Sequence, residues 1–145
     1  MNVLEDVRLE REFTVSPQVL FDYVSTPEGL LQWWGPEGLS VPEHDLDFSR
    51  KGPWFSVMVN PEGQRFKVSG HVTHVDPPKS VGFTWAWHDD ADTRGFESHV
   101  TMTVTATDRG AHLVIDHTGL PDAEAAENHT KGWTSSLRKL ERLAG

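Results

Sequence analysis

Hydrophobic and polar positions alternate with a period of two along most of this chain and shift to a spacing of three or four in two places. Val7, Leu9, Arg11, Phe13 and Val15 share one side of the first segment, with Arg11 the single polar break. This predicts a β-strand, because successive strand side chains point to opposite faces. Ser16-Pro17 then supplies a capping hydroxyl and a proline suited to a first helical position. Val19, Leu20, Tyr23 and Val24 follow at helical spacing. Thr26-Pro27-Glu28 repeats the start signal, and Leu30, Leu31 and Trp34 continue the pattern until Gly35-Pro36 stops it. Two short helices in tandem are expected.

Beyond Pro36 the strand period returns. Residues 41–48 read as a polar, extended edge strand, and residues 54–59 as an apolar one closed by the turn Pro61-Glu62-Gly63. Phe66, Val68, Gly70 and Val72 alternate up to the breaker Asp76-Pro77-Pro78, and Val81, Phe83, Trp85 and Trp87 give the cleanest alternation in the chain. A polar loop at 88–95 precedes a strand over 96–106 built on Val100, Met102 and Val104. After Asp108-Arg109-Gly110, Leu113, Ile115 and His117 share the face of a last strand. Short turns between consecutive strands favour an antiparallel meander. From Pro121 to about Leu143, the residues Ala126, His129, Trp133, Leu137 and Leu140 mark one stripe of a long helix, where Gly132 is expected to let the backbone approach the sheet. The order is a strand, two short helices, about six strands and a long helix. It predicts an α+β fold over residues 1–145 as a single domain, a curved antiparallel sheet wrapped on the C-terminal helix. The first strand joins the far end of the sheet. A gap is expected between sheet and helix near one end, with the short helices plugging the other.

Composition sharpens the picture. Six tryptophans in 145 residues are many; each indole buries a large apolar area yet keeps one N–H donor, which points to a lined interior. The net charge is −9 and the basic residues are scattered, with only a modest group at Arg138, Lys139 and Arg142. Neither nucleic acid nor an anionic membrane surface is an expected partner. No apolar run approaches the roughly 20 residues of a membrane span, and Met1 to Asp6 lacks the basic start and apolar stretch of a signal peptide, so a cytoplasmic protein is expected. Without cysteine there is no disulfide, thiolate metal site or cysteine nucleophile. No glycine-rich phosphate loop, serine elbow or HExxH motif occurs, so no cofactor, metal or catalytic residue is assigned.

Several residues in order carry a family resemblance: Thr26-Pro27, Gln32-Trp33-Trp34-Gly35-Pro36, Asp47 ahead of Gly52 and Trp54, Gly70, Phe83-Thr84-Trp85-x-Trp87, His117-x-Gly119 and His129-x-x-Gly132-Trp133. Over about residues 7–142 the chain resembles the START-like (SRPBCC) superfamily with its helix-grip fold, and within it the activator of heat-shock protein 90 ATPase homologue group. The resemblance implies that fold. It also implies two alternatives to simple ligand binding: a co-chaperone-like partner of a heat-shock ATPase in stress response, and a cyclase- or dehydratase-like enzyme. In one place the chain departs from the group, which usually carries an arginine and a glycine pair between the aspartate and the tryptophan. Here those positions read Ser49 and Lys51-Gly52, and Arg50 is expected on the opposite side of an extended strand from Asp47.

Among candidate chemical groups, His117 and His129 both fall on inward faces, where they serve either as hydrogen-bonded core residues or as an acid–base pair. Glu97 and Asp116 fall on the opposite parity, which deprives such a pair of a carboxylate. The segment His88-Asp89-Asp90-Ala91-Asp92 with Glu97 and His99 is rich in hard ligands but fits no calcium-loop spacing and reads as a solvated hairpin tip. His71 and His74, three apart in a strand, face opposite ways unless a bulge intervenes. The favoured function is binding of a small, largely apolar molecule between sheet and helix. The expected lining is Trp54, Ser56, Met58, Phe66, Val68, Phe83, Trp85, Val100, Met102, Leu113, His117, His129, Trp133 and Leu137. A homodimer built on the sheet edge or the short helices is possible, and a chaperone partner is the lesser alternative.

Overall fold

A computed structural model describes residues 4–145; Met1, Asn2 and Val3, the start of the N-terminal stretch read above, lie outside the described residues. Strand β1 (Glu5–Phe13) is followed by helices α1 (Pro17–Ser25) and α2 (Pro27–Leu30), strands β2 (Ser40–His44), β3 (Gly52–Val59), β4 (Arg65–Asp76), β5 (Ser80–Trp87), β6 (Ser98–Ala106) and β7 (Ala111–Leu120), and helix α3 (Ala123–Ala144). The strands form one antiparallel sheet in the order β1-β7-β6-β5-β4-β3-β2, a meander whose far end is closed by β1 pairing with β7. This is the expected α+β helix-grip arrangement, a curved sheet around a long C-terminal helix.

The local signals act as their chemistry dictates. Ser16 Oγ accepts from Val19 N–H, Thr26 Oγ1 from Gly29 N–H and Asp122 Oδ1 from Ala125 N–H, capping the three helices in turn. Helix α2 is shorter than its pattern suggests. After Leu30 the chain continues only as turns to Trp33, and Gly35, at φ +80°, swings it away. Strand β2 likewise stops at His44. Residues 45–51 bend instead of extending, and they bury Leu46 and Phe48 in the core. That bend brings the Arg50 guanidinium to 3.3 Å from Asp47, so the expectation of opposite sides fails because the segment is not a strand. Phe96 lies before β6 and is exposed. In β1 the polar break Arg11 meets Glu141 of α3 at 3.3 Å.

Helix α3 packs chiefly against β1 and more lightly against β7. Its C-terminal half is buried through Trp133, Ser136, Leu137, Leu140 and Ala144, whereas residues 123–132 stay exposed or half-buried. The helix therefore covers β1 and β7 and parts from β3, β4 and β5. Gly70 of β4 is buried and pairs with Trp54 of β3. A methyl group there would come to 1.9 Å from the Thr84 carbonyl oxygen, which also accepts the Trp54 indole N–H at 3.1 Å. A Gly70→Ala variant is expected to lose about 3 kcal/mol or more, because backbone has to move to admit the methyl. Urea unfolding of the two proteins measures this.

Candidate functional site

Between α3 and the β3–β5 side of the sheet lies a cavity of about 390 Å³. Trp34, Gly35, Met58, Trp85, Trp133 and Ser136 are its buried wall residues. Gly35 and Pro36 form one flank, and Ala125, His129 and Gly132 form the helical one. Phe66, Trp87 and Asn128, all exposed, border the mouth. None of these lining residues carries a formal charge at neutral pH.

Each element presents its part for a local reason. The period of two in β5 sends Trp85 and Trp87 to the same face. The left-handed backbone at Gly35 lets the chain turn tightly against Met58; an added Cβ would stand 2.9 Å from its sulfur. The Gly35 turn is clamped to α3 from both sides. Lys139 Nζ donates to the Trp34 carbonyl at 3.0 Å, and Ser135 Oγ accepts from Glu37 N–H at 2.8 Å. Arg138 and Arg142 reach the Glu37 carboxylate. Burial holds the Lys139 amine below its ordinary value.

Many of the rings meet edge-on, and Trp85 lies tilted against three of the other indoles. Trp34 meets Trp54 at 5.7 Å and 82°, and Trp133 at 6.0 Å and 85°. Trp85 lies at the hub, with Trp34, Trp54, Trp87, Trp133, His117 and His129 all within 5.9 Å of it, centroid to centroid. Edge-to-face pairs are favourable for aromatic quadrupoles, but they leave angular gaps that flat stacks do not.

The two histidines are fixed as neutral rings. Trp133 Nε1–H donates to His117 Nδ1 at 3.1 Å. An indole nitrogen can only donate, so the His117 proton sits on Nε2 and is given to Ser98 Oγ at 2.7 Å. Trp87 Nε1–H likewise donates to His129 Nε2 at 3.2 Å, leaving Nδ1–H for the Ala125 carbonyl at 2.8 Å. Burial, followed by the neighbouring His129 and then His99, lowers the His117 pKa to about 3. Burial also depresses His129, against the opposing pull of the Ala125 carbonyl.

Of the fourteen residues expected to line the gap, Met58, Phe66, Trp85, His129 and Trp133 stand on the cavity wall. Trp54, Ser56 and His117 lie one layer behind, bonded to Thr84, Trp34 and Trp133 respectively. Val68, Phe83, Val100, Met102, Leu113 and Leu137 are buried in the close-packed core. The inward parity of these residues is right, but parity does not say where along the sheet the helix lifts off. Trp34, Gly35, Pro36, Trp87, Ala125, Asn128, Gly132 and Ser136 were missed. The β5 alternation pointed to Trp87, and the α3 stripe pointed to Gly132 and Ser136 beside Trp133. Gly132 faces Pro36, 3.9 Å from an added Cβ, and not the sheet. Nor do the short helices simply plug the remote end, since the turn after α2 supplies cavity wall.

The outer face carries the remaining chemistry. A register shift between Val72 and His74 turns His74 over Gly82, on the same outer side as His71, where the two were expected on opposite faces. Among the described residues no group of three metal-ligating side chains assembles. Asp116 and Glu97 pair with Arg8 and Arg94.

His117 makes stability depend on pH. Its folded pKa lies below the unfolded value of about 6.5, so between the two the unfolded chain binds the extra proton and acid favours unfolding. Stability is expected to be full above pH 6.5 and to fall by up to about 1.4 kcal/mol per pH unit below it. Urea unfolding at pH 5 to 7 checks this, and the slope should flatten in His117→Gln.

No helix among the described residues is long and apolar enough to cross a membrane. No curated protein matches the chain. The AHSA1 protein of Silicibacter pomeroyi, known from a crystal structure, is 64% identical over 95% of this chain and 96% of its own, with a TM-score of 0.93. A crystal structure of a Chromobacterium violaceum protein is 26% identical over 95% and 96% of the two chains, with a TM-score of 0.84. One from Nitrosomonas europaea, at 22% identity over 95% and 92% and a TM-score of 0.78, shares the fold. Residues 14–145 match the family described as Activator of Hsp90 ATPase homolog 1-like protein, and the chain belongs to that family.

Proposed function

We propose that this protein binds a small, neutral, largely apolar ligand in the cavity between β3–β5 and the N-terminal half of α3. The cavity carries the reading: about 390 Å³ walled by four indoles, Phe66 and Met58, with no charged side chain among the residues that line it. Small-molecule sites begin at about 300 Å³, and an apolar void of about 150 Å³ already takes a benzene. Apolar wall facing water costs on the order of 25 cal/mol per Å², which an occupant recovers. Met58, with a flexible and polarisable side chain, suits a wall that adapts to its contents.

The histidines support holding over proton transfer. Both ring nitrogens of His117 and of His129 are engaged, so either would have to give up the bond that orients an indole before taking a proton. With no cation on the wall, an anionic head group finds no partner there.

Titration with sterols, fatty acids and aromatic polyketides, followed by intrinsic tryptophan fluorescence, is expected to quench or shift the emission for at least one neutral ring compound. No response to any of them overturns the reading. Gly132→Leu is expected to weaken any such binding by about tenfold or more, since the new side chain enters the cavity past Pro36. The same change favours the helix by about 0.8 kcal/mol on propensity alone, so thermal unfolding should show no loss of fold.

A further inference from the structure

Five of the six indole N–H groups have an acceptor. Trp33 donates to the Tyr23 carbonyl at 2.8 Å, Trp34 to Ser56 Oγ at 2.9 Å and Trp54 to the Thr84 carbonyl at 3.1 Å. Trp87 and Trp133 donate to the two histidines. The sixth, Trp85 Nε1, is buried without a partner, and among the described residues no other buried side-chain nitrogen or oxygen is left so. An unmade bond of this kind costs more than a satisfied one gains, so native structures seldom keep one without a use. This one belongs to the ring at the hub of the cluster and on the cavity wall.

Resting on the ligand-binding reading above, we propose that the occupant is a neutral ring compound bearing a carbonyl oxygen, and that Trp85 Nε1–H is the donor that selects it. The neighbours of that carbonyl would be rings and not cations, which favours a ketone or quinone over a carboxylate. Trp85 is covered as it stands, so the incoming oxygen has to move a neighbour. Trp87 is the one suited to yield: it meets Trp85 edge-on at 5.4 Å, has an exposed flank and is held by a single side-chain bond, to His129. Trp34, Trp54 and Trp133 are buried and have no such exposed flank. A site that offers an otherwise unpartnered donor discriminates against an analogue lacking the acceptor more strongly than an apolar pocket discriminates by shape.

The test uses two probes of one shape, 2-acetylnaphthalene and 2-isopropenylnaphthalene, which differ by an oxygen in place of a methylene. Calorimetric titration of the wild-type protein is expected to give the ketone a Kd about threefold or more below that of the alkene. In Trp85→Phe the order should reverse, because the ketone still loses its water and gains no donor. Equal affinities in the wild type, or a ketone preference that survives in Trp85→Phe, overturn the proposal and leave the cavity reading standing. Failure of both probes to bind a folded wild-type protein overturns the two together. A second measurement needs no variant: on saturation with the ketone and not the alkene, the Trp85 indole N–H resonance should move downfield. A resonance that stays in place in the saturated complex refutes the assignment.

Discussion

The hydrogen bond from Trp133 to His117 divides this molecule in two. It is made at the midpoint of α3 between two buried side chains, and it continues through Ser98 toward the Trp85 carbonyl, 3.4 Å from the serine hydroxyl. A buried imidazole and a buried indole N–H both need partners there, and each supplies the other's. On the C-terminal side of that bond the helix lies tight on β1 and β7. On the N-terminal side it stands away from the sheet, with no side-chain bond to it among the described residues apart from His129 to Trp87.

What keeps the two from closing is the shape of the residues between them. Each buried indole removes about 200 Å² from water, on the order of 5 kcal/mol before entropy, so the rings are strongly held inside. They are also rigid plates, and plates meeting at 44–85° around Trp34 do not mesh as aliphatic side chains do. The Gly35-Pro36 turn, clamped by Lys139, Ser135 and the arginines on Glu37, holds the opening at a set width. The cavity is the space that stiff parts and a pinned helix leave between them. Its neutral histidines belong to the scaffold, since their protons are allotted by the indoles that point at them.

Periodicity carried the fold because it records which side of each element is apolar, and that depends on neighbours along the chain. The caps at Ser16 and Thr26, the alternation of β5 and β6, and the stripe of α3 were all legible for that reason. The 45–51 bend and the β4 bulge were not, because both answer to packing: Leu46 and Phe48 bury themselves, and His74 leaves the inward row. Among the expected lining residues, inward parity gathered Trp85, Met58 and Trp133, which stand on the cavity wall, together with Val100, Met102 and Leu113, which share that parity in the close-packed core.

By itself the sequence determined the α+β order, the inward rows and the presence of six indoles, each needing an acceptor for its N–H. Those are properties of residue type and local spacing. Only the tertiary structure decided where helix and sheet separate, which indoles border the resulting space, and that Trp85 alone lacks an acceptor. These follow from how the helix meets a curved sheet, and from contacts between residues as far apart as Trp34 and Lys139 or Arg11 and Glu141, which no local pattern encodes.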